Sequence, residues 1–185
     1  LAILSTVAFR MTVRDTDVYR EGITSLKARD FDYAQELGYV IKLLAIASNK
    51  DGKVQARVHP VFVPADVMIA KIDGVLNAVE IETDLVGRVL FSGRGAGSMP
   101  TTSAVMADLV DVARNVTRCV TPPAIGLSTE LSLRPMSELE TKYYLRLSVA
   151  DQPGVFAQIA KLLGDLEISI ASVIQKETDE IAQRT

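Results

Sequence analysis

Residues 39–64, YVIKLLAIASNKDGKVQARVHPVFVP, constrain the fold more than any other stretch of the chain. YVIKLLAIAS is apolar and rich in β-branched residues, and VQARVHPVFVP alternates Val54, Ala56, Val58 and Val61 with polar neighbours. Between them stands Asp51-Gly52, a pair that tolerates the positive φ angles of a tight hairpin turn. The pattern predicts a long antiparallel pair. A second hairpin is expected in GVLNAVEIETDLVGRVLFSG, with Val75, Val79 and Ile81 in one arm and Val86, Val89 and Phe91 in the other. Its turn falls around Thr83–Gly87.

Helical periodicity supplies the packing layers. Residues 1–11 repeat apolar side chains at Leu1, Leu4, Ala8 and Met11, and Asp15 marks the start of TDVYREGI. SLKARDFDYAQELGY places Phe31, Ala34 and Leu37 on one face and stops at Gly38, where a left-handed cap is easiest. ADVMIAKI reads as a short helix or an extended piece. Residues 101–116 carry an apolar stripe of Val105, Leu109, Val112 and Val116. Residues 117–139 hold three prolines and read as a linker. Beyond it come a strand in KYYLRLSVA, a DQPG turn, a helix facing inward through Val155, Ile159, Leu162 and Leu163, and a strand in SIASVIQKE. The expectation is an α+β fold: one mixed sheet that both hairpins join, packed by helices, and a smaller βαβ unit from about residue 140.

The 185 residues are 48% hydrophobic and 23% charged, enough for a real core. A net charge of −3, from 20 basic and 23 acidic residues, argues against non-specific attachment to nucleic acid or an acidic membrane. No apolar run approaches the roughly 20 residues of a membrane span. The lone Cys119 rules out an internal disulfide and suits a reducing, cytoplasmic setting. LAILSTVAF lacks a basic leader and does not read as a secretory signal. An uncapped apolar beginning and an end just after a β-like run give the chain the look of an excerpt.

Candidates for chemistry are few. His59, the single histidine, lies in a strand beside Pro60 and reads as structural. Cys119 has no histidine near it in sequence, and no His and Cys spacing makes a metal site. Glu80, Glu82 and Asp84 alternate on what reads as a solvated strand face, and Lys42 reads as a lysine snorkelling from a strand edge. Gly93-Arg94-Gly95-Ala96-Gly97 is more informative. Glycines admit close backbone approach, and a helix starting just beyond would aim free N–H groups at an anion. Pro100 suits a first helical position, and Ser98, Thr101 and Thr102 are available as caps. The spacing is GxGxG, however, not the GxGxxG of a dinucleotide fingerprint, and there is no Walker lysine. On pattern alone a structural turn and a ligand loop both stand. The DQPG turn, with a helix N-terminus behind it, likewise suits either a small carboxylate or a plain βα connection.

In order along the chain, LAILSTVAFRMTVRDTDVYREGI, DFDYAQELGYVIKLLAIA, VHPVFVP, the 74–114 segment with GRGAGSMPTTSAVMADL, and YYLRLSVADQPGVFAQIAKLLGDLEISIASVIQKE closely resemble bacterial homoserine dehydrogenase. The tail resembles an ACT domain, an amino-acid-sensing module with a βαββαβ plan. The resemblance implies NADH- or NADPH-dependent interconversion of L-aspartate 4-semialdehyde and L-homoserine. It divides the chain into a catalytic and dimerisation domain at 1–92, a loop and helix returning to the nucleotide domain at 93–116, a linker at 117–139 and a partial ACT domain at 140–185. It implies cofactor contacts at Gly95, Gly97, Ser98 and Thr101, with Gly97 foremost. It also implies effector contacts at Asp151, Gly154, Val155, Phe156 and Gln175, with threonine as effector, and a homodimer. The family's catalytic lysines and substrate-binding acids would lie upstream of Leu1, so residues 1–185 alone are expected not to turn over. The competing expectation is a regulatory module that binds an amino acid and dimerises.

Overall fold

The computed structural model describes residues 1–121, 124–150 and 152–176. It divides into two units, Leu1–Glu140 and Thr141–Thr185.

The first unit is built on the expected hairpin. β2 (Tyr39–Lys50) and β3 (Lys53–Pro64) pair antiparallel along their full length, from Tyr39 opposite Pro64 to Lys50 opposite Lys53. Asp51 (φ 54°) and Gly52 (φ 76°) both sit left-handed, as a two-residue hairpin turn of the I′ kind requires. β1 (Tyr19–Arg20) and, near the turn end, β6 (Ser132–Leu133) run parallel to β3. The sheet is therefore mixed, as expected. Its core is Val13, Val18, Val54 and Ala56, with half-buried Leu1, Ala2, Phe9, Met11, Val58 and Leu131 around it.

Two helices frame this sheet. α1 (Ala2–Phe9) ends at Arg10, which takes the left-handed conformation. Its inward side is Ala2, Ser5 and Phe9, whereas Leu4, expected on the buried stripe, is 60% exposed. The Thr6 hydroxyl explains that rotation: it accepts from the Val13 amide at 3.0 Å, turning this side of the helix toward the returning chain. Asp15 starts only a short 3-10 turn over Asp15–Asp17, whose Asp17 carboxylate accepts the Arg14 N–H. α2 (Ala28–Glu36) is held at its start by the buried Asp30 carboxylate, which accepts the Lys27 N–H at 2.7 Å. It stops at Gly38 (φ 79°). Ala34 is fully buried but Phe31 is half exposed, so the packed face runs through Asp30 and Ala34.

The second hairpin, β4 (Leu76–Thr83) and β5 (Gly87–Arg94), forms with the expected turn but as a separate two-stranded sheet. This corrects the single-sheet expectation. Val79, Ile81 and Phe91 stay about half exposed, so neither the pleat nor any apolar face forces this hairpin against β2. Its anchor is polar. A 3-10 turn at Met68–Lys71 leads to Ile72 and Asp73, and Lys42 Nζ holds the Ile72 carbonyl at 2.7 Å and the Asp73 carboxylate at 2.5 Å. Lys42 is thus a cross-link rather than a snorkelling edge residue.

The 117–139 segment is more structured than a linker. Besides β6, it donates Ser128 N–H to the Arg10 carbonyl and Arg134 N–H to the Val54 carbonyl, and it closes with a 3-10 turn at Met136–Glu138. Prolines in sequence mark where a helix cannot run, but they do not prevent docking along an open strand edge.

In the second unit, α4 (Val155–Asp165) follows a left-handed Gly154 (φ 89°). Val155, Ile159 and Leu163 are partly buried, while Leu162 is 61% exposed and falls off the expected face. Residues 142–150 (KYYLRLSVA) and 169–177 (SIASVIQKE) were expected as strands, and no strand is assigned among their described residues.

Candidate functional site

The glycine loop closes β5 and opens α3 (Ser98–Thr117), a 20-residue helix. α3 starts three residues earlier than its periodicity suggests. Gly97 is the N-cap, and no side chain caps the helix, so Ser98 and Thr101 are not caps and Pro100 sits in the third helical position. The first intrahelical bond runs from Thr101 N–H to the Gly97 carbonyl at 3.1 Å. Pro100 has no N–H, so the N–H groups of Ser98 and Met99 point forward from the helix end without intrahelical partners.

The three glycines differ in what they do. At Gly93 an added Cβ would meet nothing within 4 Å. Gly97 lies at φ 125°, ψ 155°, a conformation open essentially to glycine alone. At Gly95 an added Cβ would stand 3.0 Å from Asn77 Cγ.

Gly97, Ser98, Thr101, Thr102, Val105 and Met106 line an open groove of about 480 Å³. The structure so brings together three of the four proposed cofactor contacts, with Gly95 just upstream in the loop. Thr102 and Met106 complete the wall and were not singled out as site residues. The signal was present, since 98, 101–102 and 105–106 share one helical face. The groove offers backbone N–H groups and a positive helix end at its mouth, three hydroxyls along its side and an apolar floor. No residue of α3 is buried, and Val105, Leu109, Val112 and Val116 are all more than half exposed.

The other candidates behave as structural groups. His59 accepts the Arg57 Nε–H at Nε2 (3.1 Å) and places Nδ1 2.8 Å from the Pro60 carbonyl, which fits a neutral ring. Desolvation by burial lowers the pKa of Arg57 below its usual value. Cys119 is exposed, and Glu82 pairs with Arg88 on the hairpin surface. Among the described residues no cluster of His, Cys, Asp and Glu could hold a metal ion, and no helix is long and apolar enough to cross a membrane. In the second unit Gly154, Val155 and Phe156 form the turn into α4, with Phe156 48% exposed. Gln175 lies exposed in the segment after it. Asp151 lies outside the described residues.

Comparison with known proteins decides the family. The model of homoserine dehydrogenase matches residues 1–110, well over half of the chain. The chain belongs to the homoserine dehydrogenase family. An ACT domain model matches residues 143–185. A homoserine dehydrogenase from Neisseria gonorrhoeae is 40% identical over 95% of this chain and 42% of its own length. One from Mycobacterium bovis is 43% identical over 95% of this chain and 41% of its own. The crystal structure of a homoserine dehydrogenase from Thiobacillus denitrificans matches with a TM-score of 0.87 and 44% identity, over 95% of this chain and 42% of that one. The chain thus spans about two fifths of the length of the homoserine dehydrogenases it resembles.

Proposed function

We propose that this chain contributes to an NAD(P)-dependent homoserine dehydrogenase that interconverts L-homoserine and L-aspartate 4-semialdehyde in amino-acid biosynthesis. The carrying observation is the loop-and-groove geometry within a chain of this family. Gly95, Gly97, Ser98 and Thr101 are the proposed cofactor contacts, and Gly97 is foremost because its backbone approaches without a Cβ. The donor set fits the nicotinamide end of a dinucleotide: N–H groups and hydroxyls suit a carboxamide or phosphate, and Val105 and Met106 suit the flat face of a ring. A dinucleotide held there would supply hydride-transfer chemistry to the reaction. The role left to these residues is to orient the ring and keep water from one side of it. No proton donor is assigned among them.

In the same reading, residues 1–92 serve catalysis and dimerisation, 93–116 meet the nucleotide domain, and 140–185 act as an ACT sensor. The protein would work as a cytoplasmic homodimer. Asp151, Gly154, Val155, Phe156 and Gln175 are proposed to contact an amino-acid effector, with threonine first. Support for this part is the ACT match together with the turn at Gly154 that opens α4.

The test is homoserine-dependent reduction of NADP+ or NAD+ by the complete product of the gene that encodes this chain, followed at 340 nm with and without threonine. Activity that threonine inhibits is expected. Absence of activity with both dinucleotides contradicts the enzyme reading. Saturable threonine binding without any turnover favours the second reading, a purely regulatory module.

A further inference from the structure

Gly95 needs an explanation that neither of its neighbours shares. It has no positive φ, and unlike Gly93 it is not in open space. A Cβ there would lie 3.0 Å from Asn77 Cγ and 3.5 Å from Asn77 Cβ, with the Asn77 amide nitrogen closer still. The register shows how Asn77 gets there. Asn77 pairs with Gly93 across β4 and β5, so Gly95 is its diagonal neighbour on the same face. The carboxamide leans along the sheet onto Gly95 and stays clear of Gly93, where an added Cβ would meet nothing within 4 Å. The residue is exposed, and its carboxamide makes no hydrogen bond among the described residues. Its contact with the loop is steric.

We infer that Asn77 is a positioning residue of the glycine loop: its carboxamide braces Gly95 and thereby sets the backbone from Gly95 to Gly97, where α3 and its groove begin. The brace fixes the loop from the β4 side, and Gly97 fixes it from the helix side. This rests on the proposal that the loop contacts the dinucleotide, since only then does its position govern a binding constant.

A double-substitution cycle on the purified complete gene product tests it, using Asn77→Ala, Gly95→Ala and the pair. For residues in contact, coupling of about 2- to 10-fold is expected. Asn77→Ala should raise KM for NADP(H) about 3- to 10-fold while kcat changes less than about twofold, since it frees the loop without touching reacting atoms. Gly95→Ala should act similarly by pushing the carboxamide aside. The double variant should be no worse than Asn77→Ala alone, because the methyl then occupies vacated space. Without ligand, backbone 15N relaxation at 95–97 should report greater motion in Asn77→Ala, while slow amide exchange in β2 and β3 reports folding. Multiplying effects, or an unmoved KM with unmoved relaxation, overturns the brace. If relaxation responds as stated but bound dinucleotide leaves residues 95–101 unprotected, the brace stands and the cofactor-contact reading falls.

Discussion

Gly97 opens the helix whose end forms the groove, and its backbone sits at φ 125°, ψ 155°. An L-residue in that region brings its Cβ against its own backbone, at a cost of about 1–3 kcal/mol. The surroundings add little to this, because the nearest atom to an added Cβ is Pro100 Cδ at 3.4 Å, an ordinary contact. Gly97→Ala therefore isolates conformational strain from crowding. The loop can bear the strain or relax to a common φ, and relaxation swings the Ser98 and Met99 N–H groups away from the ligand. Either way dinucleotide affinity should fall about 5- to 150-fold, the same range expressed as a ratio. Calorimetric titration of NADPH and NADH into the complete gene product measures it directly. Gly93→Ala is the control: that position is in β5, has no positive φ and faces open space, so affinity should hold within about twofold. Equal affinity for Gly97→Ala and the unaltered protein would refute the reasoning. So would a Gly93→Ala as weak as Gly97→Ala, since crowding by the ligand would then outweigh backbone strain.

Four further substitutions probe the scaffold by urea unfolding. Lys42→Met should cost about 1–2 kcal/mol, because it leaves the Ile72 carbonyl without its donor, whereas Asp73→Asn should cost under about 1 kcal/mol, its carboxylate being largely exposed. Equal losses would mean that the ion pair alone does the anchoring. Asp30→Ala should cost about 2 kcal/mol by removing the buried carboxylate that receives the Lys27 N–H, and a loss below about 0.5 kcal/mol contradicts that role. Val54→Ala, at a fully buried core position on β3, should also cost about 2 kcal/mol, while an unchanged midpoint would show the core closing over the gap.

Where local chemistry alone decides the structure, the sequence was legible. Asp51-Gly52 specifies its turn through φ, and Gly38 specifies the end of α2 in the same way. The second hairpin and the helix beyond the glycines were likewise readable from alternation and periodicity, whereas the mixed sheet was implied by the family resemblance. What escaped depends on groups distant in sequence. The Thr6 bond to Val13 rotates α1 away from the face its apolar spacing suggests, and Asp30 rather than Phe31 is drawn inward on α2. The docking of residues 128–138 needs the open edge of β3, which those residues do not themselves encode. At the site, the spacing of Ser98, Thr101 and Val105 was visible as one face, but the pressure of Asn77 on Gly95 was not. It follows from a cross-strand register that no local pattern prints.

The central claim is that the loop and the first turn of α3 meet the dinucleotide. Hydrogen exchange of the complete gene product, with and without saturating NADPH, reads this at each backbone segment. The account predicts slowed exchange at residues 95–101, including the Ser98 and Met99 amides. Tight NADPH binding that leaves those amides exchanging at the ligand-free rate would contradict it.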